Sequence, residues 1–300
     1  MNPSNLRQTF RIVGVLLLAL SVSGCIYWWR AYQTYLQMSE FDRYFKVAVA
    51  DDFTLQFKEP ILYSEDFVSL ARLRASEEKM TPAGKHWRYW FRKVDHKGKR
   101  VKPTIEFYSD LQFNKEDRIT AWSFSSLFLE IAPPKFLEVS LRSIGGADIN
   151  EEKMQLKADT SRIGKVDAEL PRKSNVVEKL GEPLRIDKDH DQEVYVYHFK
   201  LITHAIEEGY EDRELTVITL SFDNKTQELT RMSGRFAGLK VSINYGNLVH
   251  KGTDGTLAVN GAFRQGDRAM CLMSDRGRES DQAFPPSEPC VRFSRTRLSS

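Results

Sequence analysis

The segment Trp87-Arg88-Tyr89-Trp90-Phe91 recurs 108 residues later as Tyr195-Val196-Tyr197-His198-Phe199. In both segments every second residue is aromatic, which is typical of a β-strand with one face in a hydrophobic core. Two further matches flank this pair in the same order along the chain: Ser64–Leu70 with Ser174–Leu180, and Leu111–Asn114 with Leu220–Asp223. Because their offsets, 110 and 109 residues, stay nearly constant, we interpret the body of the chain as an internal duplication.

Each copy has the same predicted order of elements. A serine, Ser64 or Ser174, is a plausible N-cap of a short helix. The aromatic strand follows, and then a hairpin of two strands. The hairpin strands are placed at Ile105–Phe113 and Ile119–Phe128 in the first copy, and at Leu215–Phe222 and Glu228–Phe236 in the second. This order predicts an α+β fold with two tandem modules, each a short helix layer packed on a small antiparallel sheet, after an N-terminal membrane anchor helix.

The domain boundaries follow from these patterns and from the two ends of the chain. A predicted helix, which starts at Pro133-Pro134 and ends at Gly145-Gly146, separates the copies. Residues from about Lys251 are rich in Gly, Ser, Arg and Asp and have few apolar runs. We therefore divide the chain into a membrane anchor or lipoprotein signal (1–30), a stem helix (31–50, with its helical pattern over Ala31–Val49), a first module (51–150), a second module (151–250) and a mostly disordered C-terminal tail (251–300).

The anchor prediction rests on Ile12–Trp29, a stretch without any charged residue. A helix of this length spans about 27 Å, close to the thickness of a hydrocarbon core. Arg7 and Arg11 precede the stretch, which favours a cytoplasmic N-terminus, and Tyr27-Trp28-Trp29 lie where an aromatic belt belongs. We expect a single-pass inner-membrane anchor with residues 31–300 facing the periplasm.

Two other interpretations of the same stretch remain open. Val22-Ser23-Gly24-Cys25 resembles a bacterial lipobox, in which the cysteine becomes lipidated after cleavage of a signal peptide. Lipidation of Cys25 would also place residues 31–300 in the periplasm, although Ile26–Trp29 continue the apolar run past the cysteine. The stretch could also be a buried core helix.

Charge and cysteine content exclude several classes of protein. The formal net charge is +3, and Arg7, Arg11 and Arg30 account for all of it (3 − 3 = 0 for the rest), so no basic face for nucleic acid is expected. Three cysteines exclude a disulfide-dense scaffold and a zinc site of four thiolates. Outside the cytoplasm Cys271 and Cys290 could form a disulfide, or they remain two free thiols in a loose tail.

The sequence carries no recognised catalytic motif, and we expect no catalytic residue, no metal site and no cofactor. Asp187, Asp189 and Asp191 have the spacing of a calcium loop, but Gln192 and His198 stand where an EF-hand needs Gly and Glu. We therefore predict a solvated acidic loop before a strand, and we expect no shared metal among the nearby histidines. The densest basic patch could contact anionic lipid or an acidic partner, but an ordinary charged hairpin is favoured: Arg88, Arg92, Lys93, Lys97, Lys99, Arg100 and Lys102.

The second copy resembles the SmpA/OmlA (BamE-like) family of bacterial envelope lipoproteins. The resemblance is carried by the helix that ends in Leu180-Gly-Glu-Pro183 and by the aromatic strand Tyr195–Phe199. The tandem arrangement is similar to that of the β-lactamase inhibitor proteins. This resemblance implies a membrane-tethered envelope protein that acts by protein–protein contact, as a non-catalytic accessory or scaffold component. The alternatives are a periplasmic small-molecule or peptidoglycan-binding protein and, from a third class, a hydrolase without a recognised motif.

Overall fold

The computed structural model describes residues 26–150, 155–157, 165–189, 191–237, 239–249 and 271–274. The helices are residues 26–38 (α1), Phe41–Tyr44 (α2), Ser64–Ala71 (α3), Ser126–Leu129 (α4), Pro134–Ser143 (α5) and Lys173–Leu180 (α6). The strands are Phe45–Val49 (β1), Phe53–Phe57 (β2), Glu77–Thr81 (β3), Gly84–Val94 (β4), Glu106–Phe113 (β5), Ile119–Phe124 (β6), Asp148–Asn150 (β7), Gln155–Lys157 (β8), Arg185–Asp189 (β9), Gln192–Ile202 (β10), Leu215–Asp223 (β11), Leu229–Phe236 (β12), Leu239–Asn244 (β13) and Cys271–Ser274 (β14). Turns of 3-10 helix lie at Ile144–Gly146, Glu211–Glu214 and Tyr245–Asn247.

Within these residues fourteen strands join into one sheet, of which nine strands curl into a half-barrel. The strand order is β1-β2-β6-β5-β4-β10-β11-β12-β13-β14-β8-β7, and β3 and β9 pair additionally with β4 and β10. The prediction of two separate helix-on-sheet modules is therefore wrong. Strands from both halves of the chain form a single, mostly antiparallel sheet.

The two halves join because β4 and β10 are each longer than their short neighbours. β3 covers only residues 84–88 of β4, and β9 covers only residues 192–196 of β10. The uncovered ends pair with each other, from His198 opposite Val94 to Ile202 opposite Trp90. An unpaired strand edge leaves N–H and C=O groups open, and this pairing satisfies both edges at once.

The core is likewise continuous between the halves. The alternating aromatic residues of β4 and β10 point to the same side of the sheet and are buried: Trp87, Tyr89, Phe91, Tyr195, Tyr197 and Phe199. They belong to one hydrophobic cluster that runs from Phe41 to Leu248. Because burial of an aromatic side chain removes a large apolar area from water, this shared core binds the halves into one body.

Each half also contributes a cation to the end of the other half's helix. Lys93 Nζ in the first half donates to the carbonyl oxygens of Leu180 (2.6 Å) and Glu182 (2.5 Å) at the end of α6. Arg213 Nη1 in the second half donates to the carbonyl oxygen of Leu70 (2.7 Å) in the last turn of α3. The last carbonyls of a helix lack partners within it, and a cation suits their partial negative charge.

The stem is helical only up to Tyr44, in α1 and in the short helix α2. We predicted a helical pattern over Ala31–Val49, but α1 ends at residue 38 and Phe45–Val49 form β1, which pairs in full with β2. Tertiary pairing thus overrides the local helical pattern in this segment. At the end of α1 the backbone of Met38 lies against Gly145, where a Cβ atom would be 2.2 Å from the Met38 carbonyl oxygen.

Both ends of the chain fall largely outside the described residues. Residues 1–25, which include Cys25 and most of Ile12–Trp29, are among them. In the described part of the chain, no helix has both the length and the apolar character needed to cross a membrane. In the tail that we predicted to be mostly disordered, Cys271–Ser274 form β14 and pair with β13 and β8. Cys290 is not described, so the disulfide between Cys271 and Cys290 stays a prediction.

Candidate interaction site

The outer face of β4, opposite the core, carries a set of charged and aromatic side chains. Side chains alternate across a strand, so His86, Arg88 and Trp90 point away from the buried Trp87 and Tyr89. The outward residues are half-buried rather than free in solvent. Their neighbours on β5 are Asp110 and Tyr108, which stand directly opposite Arg88 and Trp90. We call His86, Arg88, Trp90, Tyr108 and Asp110 the Arg88 cluster.

Asp110 holds the guanidinium of Arg88 in a bidentate ion pair. Arg88 Nε donates to Asp110 Oδ1 (2.7 Å), and Arg88 Nη2 donates to Oδ2 (2.6 Å). His86 Nε2 lies 3.1 Å from the same Oδ2. Since the Asp110 carboxylate is almost fully buried and Arg88 is more accessible, the pair fixes the guanidinium in one orientation while leaving part of it exposed.

Two aromatic rings enclose the guanidinium. The Cζ atom of Arg88 lies 3.8 Å from the ring centroid of Tyr108 and 5.1 Å from that of Trp90. The rings of Trp90 and Tyr108 meet edge to face, with centroids 5.2 Å apart. Such contacts are attractive because the ring face is partially negative and its edge partially positive.

Carboxylates from two other elements hold the polar ends of these rings. Tyr108 Oη donates to Asp52 Oδ2 (2.7 Å), which lies in the turn between β1 and β2. Trp90 Nε1 donates to Glu77 Oε1 (2.8 Å) on β3. Strands β3, β4 and β5 and the β1–β2 turn therefore all contribute to the position of the two rings.

The protonation of the Arg88 cluster follows from these contacts. Burial, followed by the hydrogen bond to the Asp52 carboxylate, raises the pKa of Tyr108 to about 12. The hydrogen bonds that Lys79 and Trp90 donate lower the pKa of Glu77, and the bond to Asp110 raises the pKa of Arg88. At neutral pH the tyrosine is therefore neutral, and both the arginine and Glu77 are charged.

A second row of charges lies beside the cluster on the same face. Arg92 Nε donates to Glu106 Oε2 (2.7 Å), and Lys200 Nζ lies 3.1 Å from Glu214 Oε2. Arg92 and Lys200 stand opposite each other where β4 pairs with β10. The two cations are neighbours, but each has its own carboxylate, so the row presents no free basic surface.

The second half of the chain offers an internal comparison. Its inward residues match those of the first half, since Tyr195, Tyr197 and Phe199 are all aromatic and buried. Its outward residues do not match. Val196 opposite Thr219, and His198 opposite Val217, stand where the first half has Arg88 opposite Asp110 and Trp90 opposite Tyr108. The shared fold therefore needs the inner aromatic residues, whereas the Arg88 cluster is particular to the first half.

A cavity of about 320 Å³ adjoins the cluster at the start of β4. It is lined by Thr81, Ala83, Lys85, His86, Gln112, Phe113, Asn114 and Thr120. Lys85 Nζ lies 2.9 Å from Asp117 Oδ1 and donates to Ser64 Oγ (3.1 Å), so its charge is compensated. The lining mixes amide, hydroxyl and imidazole groups with an aromatic ring, a composition that suits a small polar molecule.

Most of the acidic motif and one of the histidines lie on strands. Asp187 and Asp189 lie on β9 rather than in a loop, which corrects our prediction, and Arg185 Nε donates to Asp187 Oδ2 (2.9 Å). His198 is half-buried on β10, and burial lowers its pKa. Among the described residues, no group of three or more His, Cys, Asp or Glu side chains is arranged to hold a metal ion.

The basic patch lies on β4 and on the connection to β5, which pair as a hairpin as predicted. Arg88 and Arg92 are paired with carboxylates on β5, and Lys93 is buried. We did not predict the Arg88 cluster, because the carboxylates that hold its side chains, Asp52, Glu77 and Asp110, come from separate elements 11 to 36 residues away from Arg88. The signal that could have revealed it is the contrast between Arg88 and Trp90 and their counterparts Val196 and His198.

Comparisons with known protein families, curated proteins and solved structures found no match to this chain.

Proposed function

We propose that this chain is a membrane-tethered bacterial envelope protein that binds a partner protein through the Arg88 cluster, without catalysis. The tether is supported by the uncharged stretch Ile12–Trp29, whether the chain spans the inner membrane or is lipidated at Cys25. In both cases the body faces the periplasm. The neutral charge of the body argues for a protein partner rather than nucleic acid.

The observation that carries the proposal is the composition and rigidity of the Arg88 cluster. Tryptophan, tyrosine and arginine dominate the binding energy of protein interfaces. Here Arg88, Trp90 and Tyr108 lie together on one face, half-exposed and already held by Asp110, Asp52 and Glu77. Because the side chains are fixed before binding, association costs less conformational entropy.

The internal comparison supports a functional role over a structural one. A duplicated fold that needed an outer arginine–aromatic cluster for stability would need it in both halves. The second half forms the same strand pairs with Val196 and Thr219 in place of Arg88 and Asp110. The cluster thus exceeds what the fold requires, which is expected of a binding surface.

The test is site-specific photo-crosslinking in intact cells. A photo-crosslinking amino acid at Gln112, exposed on β5 beside His86, is compared with one at Leu215, exposed on the second half. We expect a crosslinked partner protein from position 112 and none from position 215. The substitution Trp90→Ala should weaken binding of the partner about 30-fold or more, as for a hot-spot residue that contributes about 2 kcal/mol of binding energy.

A matched variant makes the result specific. His198→Ala alters the half-buried residue at the equivalent position of the second half and should leave the crosslink at position 112 intact. Circular dichroism of both variants reports whether the fold is kept. If a folded chain yields no partner at position 112, or if Trp90→Ala and His198→Ala behave alike, binding through the Arg88 cluster is wrong.

A second candidate function is small-molecule binding in the cavity beside His86. The observation that favours it is the cavity of about 320 Å³ with amide and imidazole groups in its lining. Ala83→Trp would fill this space. A muropeptide or other small polar ligand that binds the cavity would raise the melting temperature of the unaltered chain but not of Ala83→Trp. If Ala83→Trp also keeps the crosslink at position 112, the result would favour small-molecule binding over the protein partner.

A further inference from the structure

Helix α1 differs from an ordinary surface helix, because it turns polar as well as apolar residues to the body and leaves several large apolar residues exposed. A helix on a soluble body normally turns its apolar stripe to the core and its polar residues to water. In α1 the residues turned to the body include Arg30, Thr34 and Gln37, of which Thr34 and Gln37 are buried. The residues turned outward include Trp29 and Leu36.

The inward face is fixed to the body by specific polar contacts. Arg30 Nη2 donates to Oδ1 of the fully buried Asp66 (2.7 Å), and its guanidinium lies 4.6 Å from the ring centroid of Tyr63. Gln37 Nε2 donates to the carbonyl oxygen of Glu59 (2.9 Å). Tyr35 Oη donates to the carbonyl oxygen of Ala147 (2.7 Å). Contacts from Arg30 to Gln37 therefore hold α1 to the body.

The outward face is apolar and aromatic. The exposed fractions are 47% for Ile26, 38% for Trp28, 59% for Trp29 and 42% for Leu36. Trp29, Tyr32 and Leu36 follow the i, i+3, i+7 spacing of one helix face. The ring centroids of Trp29 and Tyr32 are 6.5 Å apart, so the aromatic surface is continuous along the helix.

We infer that the outward face of α1 lies on the surface of the lipid bilayer, at the boundary between headgroups and acyl chains. The inference rests on the membrane tether in the proposed function. Residues 12–25, which directly precede α1, contain no charged residue, so the outward face continues from a segment suited to lipid. Tryptophan and tyrosine are the residues enriched at this boundary, and an interfacial helix places its apolar face about 5–10 Å into it.

Contact with lipid would fix the orientation of the whole body. A flexible leash would let the body rotate freely above the membrane. Because Arg30, Tyr35 and Gln37 hold α1 to the body, the lipid contact of α1 sets which side of the body faces the membrane.

The test measures the depth of two introduced tryptophans in the full chain bound to vesicles. The vesicles contain phosphatidylethanolamine and phosphatidylglycerol with brominated acyl chains, which quench tryptophan emission on contact. Trp28→Phe and Trp29→Phe together remove the exposed tryptophans and keep the face apolar, leaving Trp87, Trp90 and Trp122 as a baseline. Leu36→Trp then places a probe on the outward face of α1. Met80→Trp places the control probe on β3, where Met80 is 77% exposed.

We expect the emission added by Leu36→Trp to fall by about half in the brominated vesicles, as for an apolar face within the boundary region. The emission added by Met80→Trp should be unchanged. Position 36 lies about 10 Å beyond Trp29 along the helix, so quenching there is not explained by the end of a membrane span alone.

Three results would overturn the inference, and they separate it from the proposed function. Vesicle sedimentation without quenching at position 36 would show that the tether holds while α1 stands away from lipid. A blue shift at position 36 without quenching would show that a protein, such as a second copy of the chain, covers this face. Failure to sediment with vesicles would refute both α1 docking and the tether, while the crosslinking at position 112 would still test the Arg88 cluster.

Discussion

Replacing Lys93 by methionine should destabilise the protein strongly, because Lys93 connects the two halves at the end of α6. Lys93→Met keeps a flexible, unbranched apolar side chain of similar length and removes the ammonium group. The ammonium donates to the carbonyl oxygens of Leu180 and Glu182 and lies 5.1 Å from the ring centroid of Tyr197. The change therefore removes two hydrogen bonds while leaving the packing volume nearly constant.

The expected magnitude follows from these two bonds. A hydrogen bond to a charged group contributes about 1.5–3 kcal/mol, so two contribute about 3–6 kcal/mol. Part of this is offset, because a buried ammonium loses its hydration, as the lowered pKa of Lys93 indicates. We expect the free energy of unfolding to fall by about 2–4 kcal/mol, which is a large fraction of the stability of an ordinary domain.

The assay is urea unfolding of the full chain in detergent micelles, followed by circular dichroism. Lys200→Met is the matched control, because Lys200 is paired with Glu214 at the surface and such a pair contributes about 0–1 kcal/mol. Hydrogen exchange at the end of α6 should rise in Lys93→Met and not in Lys200→Met. Equal stabilities of the two variants would refute the idea that Lys93 holds the halves together.

Three further predictions concern the Arg88 cluster, alkaline pH and a close backbone contact. Asp110→Asn should lower the free energy of unfolding by about 1–3 kcal/mol, because it removes the negative charge from the ion pair of the nearly buried Asp110 with Arg88. Urea unfolding measures this change, and a decrease of less than about 0.5 kcal/mol would contradict the role given to Asp110. Burial raises the pKa of four tyrosines above the value of about 10 that they have in the unfolded chain: Tyr89, Tyr108, Tyr197 and Tyr245. The folding free energy should therefore be fully present below about pH 10 and be lost as the pH rises further. Absorbance at 295 nm should show these tyrosines ionising only together with unfolding. Gly84→Ala should lower the melting temperature far more than Gly98→Ala. Both glycines have positive φ, but a Cβ on Gly84 would lie 2.1 Å from the Phe113 carbonyl oxygen, whereas one on Gly98 would meet open space; equal melting temperatures would refute this reasoning.

The elements that follow a local hydrophobic pattern could be predicted from the sequence. Trp87, Tyr89 and Phe91 alternate with other residues, and the structure buries all three on one face of β4. The two short helices predicted from Ser64 and Ser174 are present as α3 and α6, but the prediction that these serines are the N-caps is wrong. The N-caps are Tyr63 and Arg172, and both serines lie inside the first turn. In both cases the residues that define the element lie within one window of sequence, so periodicity is sufficient.

The arrangement of those elements could not be predicted in the same way. Nothing in the local pattern of β4 shows that its last residues pair with β10, because any open strand edge offers the same N–H and C=O groups. The Arg88 cluster escaped prediction for a related reason. The Asp110 carboxylate meets Arg88 only once β5 pairs with β4, and the Asp52 carboxylate meets Tyr108 only after β2, β6 and β5 have joined as well. Neither residue therefore stands out beside Arg88 in the sequence.

The features that we connect with function all lie in the first half of the chain. The second half contributes contacts that stabilise the first half. The pairing of β10 closes the open end of the β4 edge, and Arg213 satisfies the end of α3. The second half also supplies core residues such as Tyr197 and Phe199. The second half therefore completes the strand edge, the helix end and the core of the first half. The outer face of the first half is not needed for these contacts, so it can keep Arg88 and Trp90 half-exposed. We therefore expect substitutions on the second half's outer face to affect stability alone, and substitutions in the Arg88 cluster to affect binding as well.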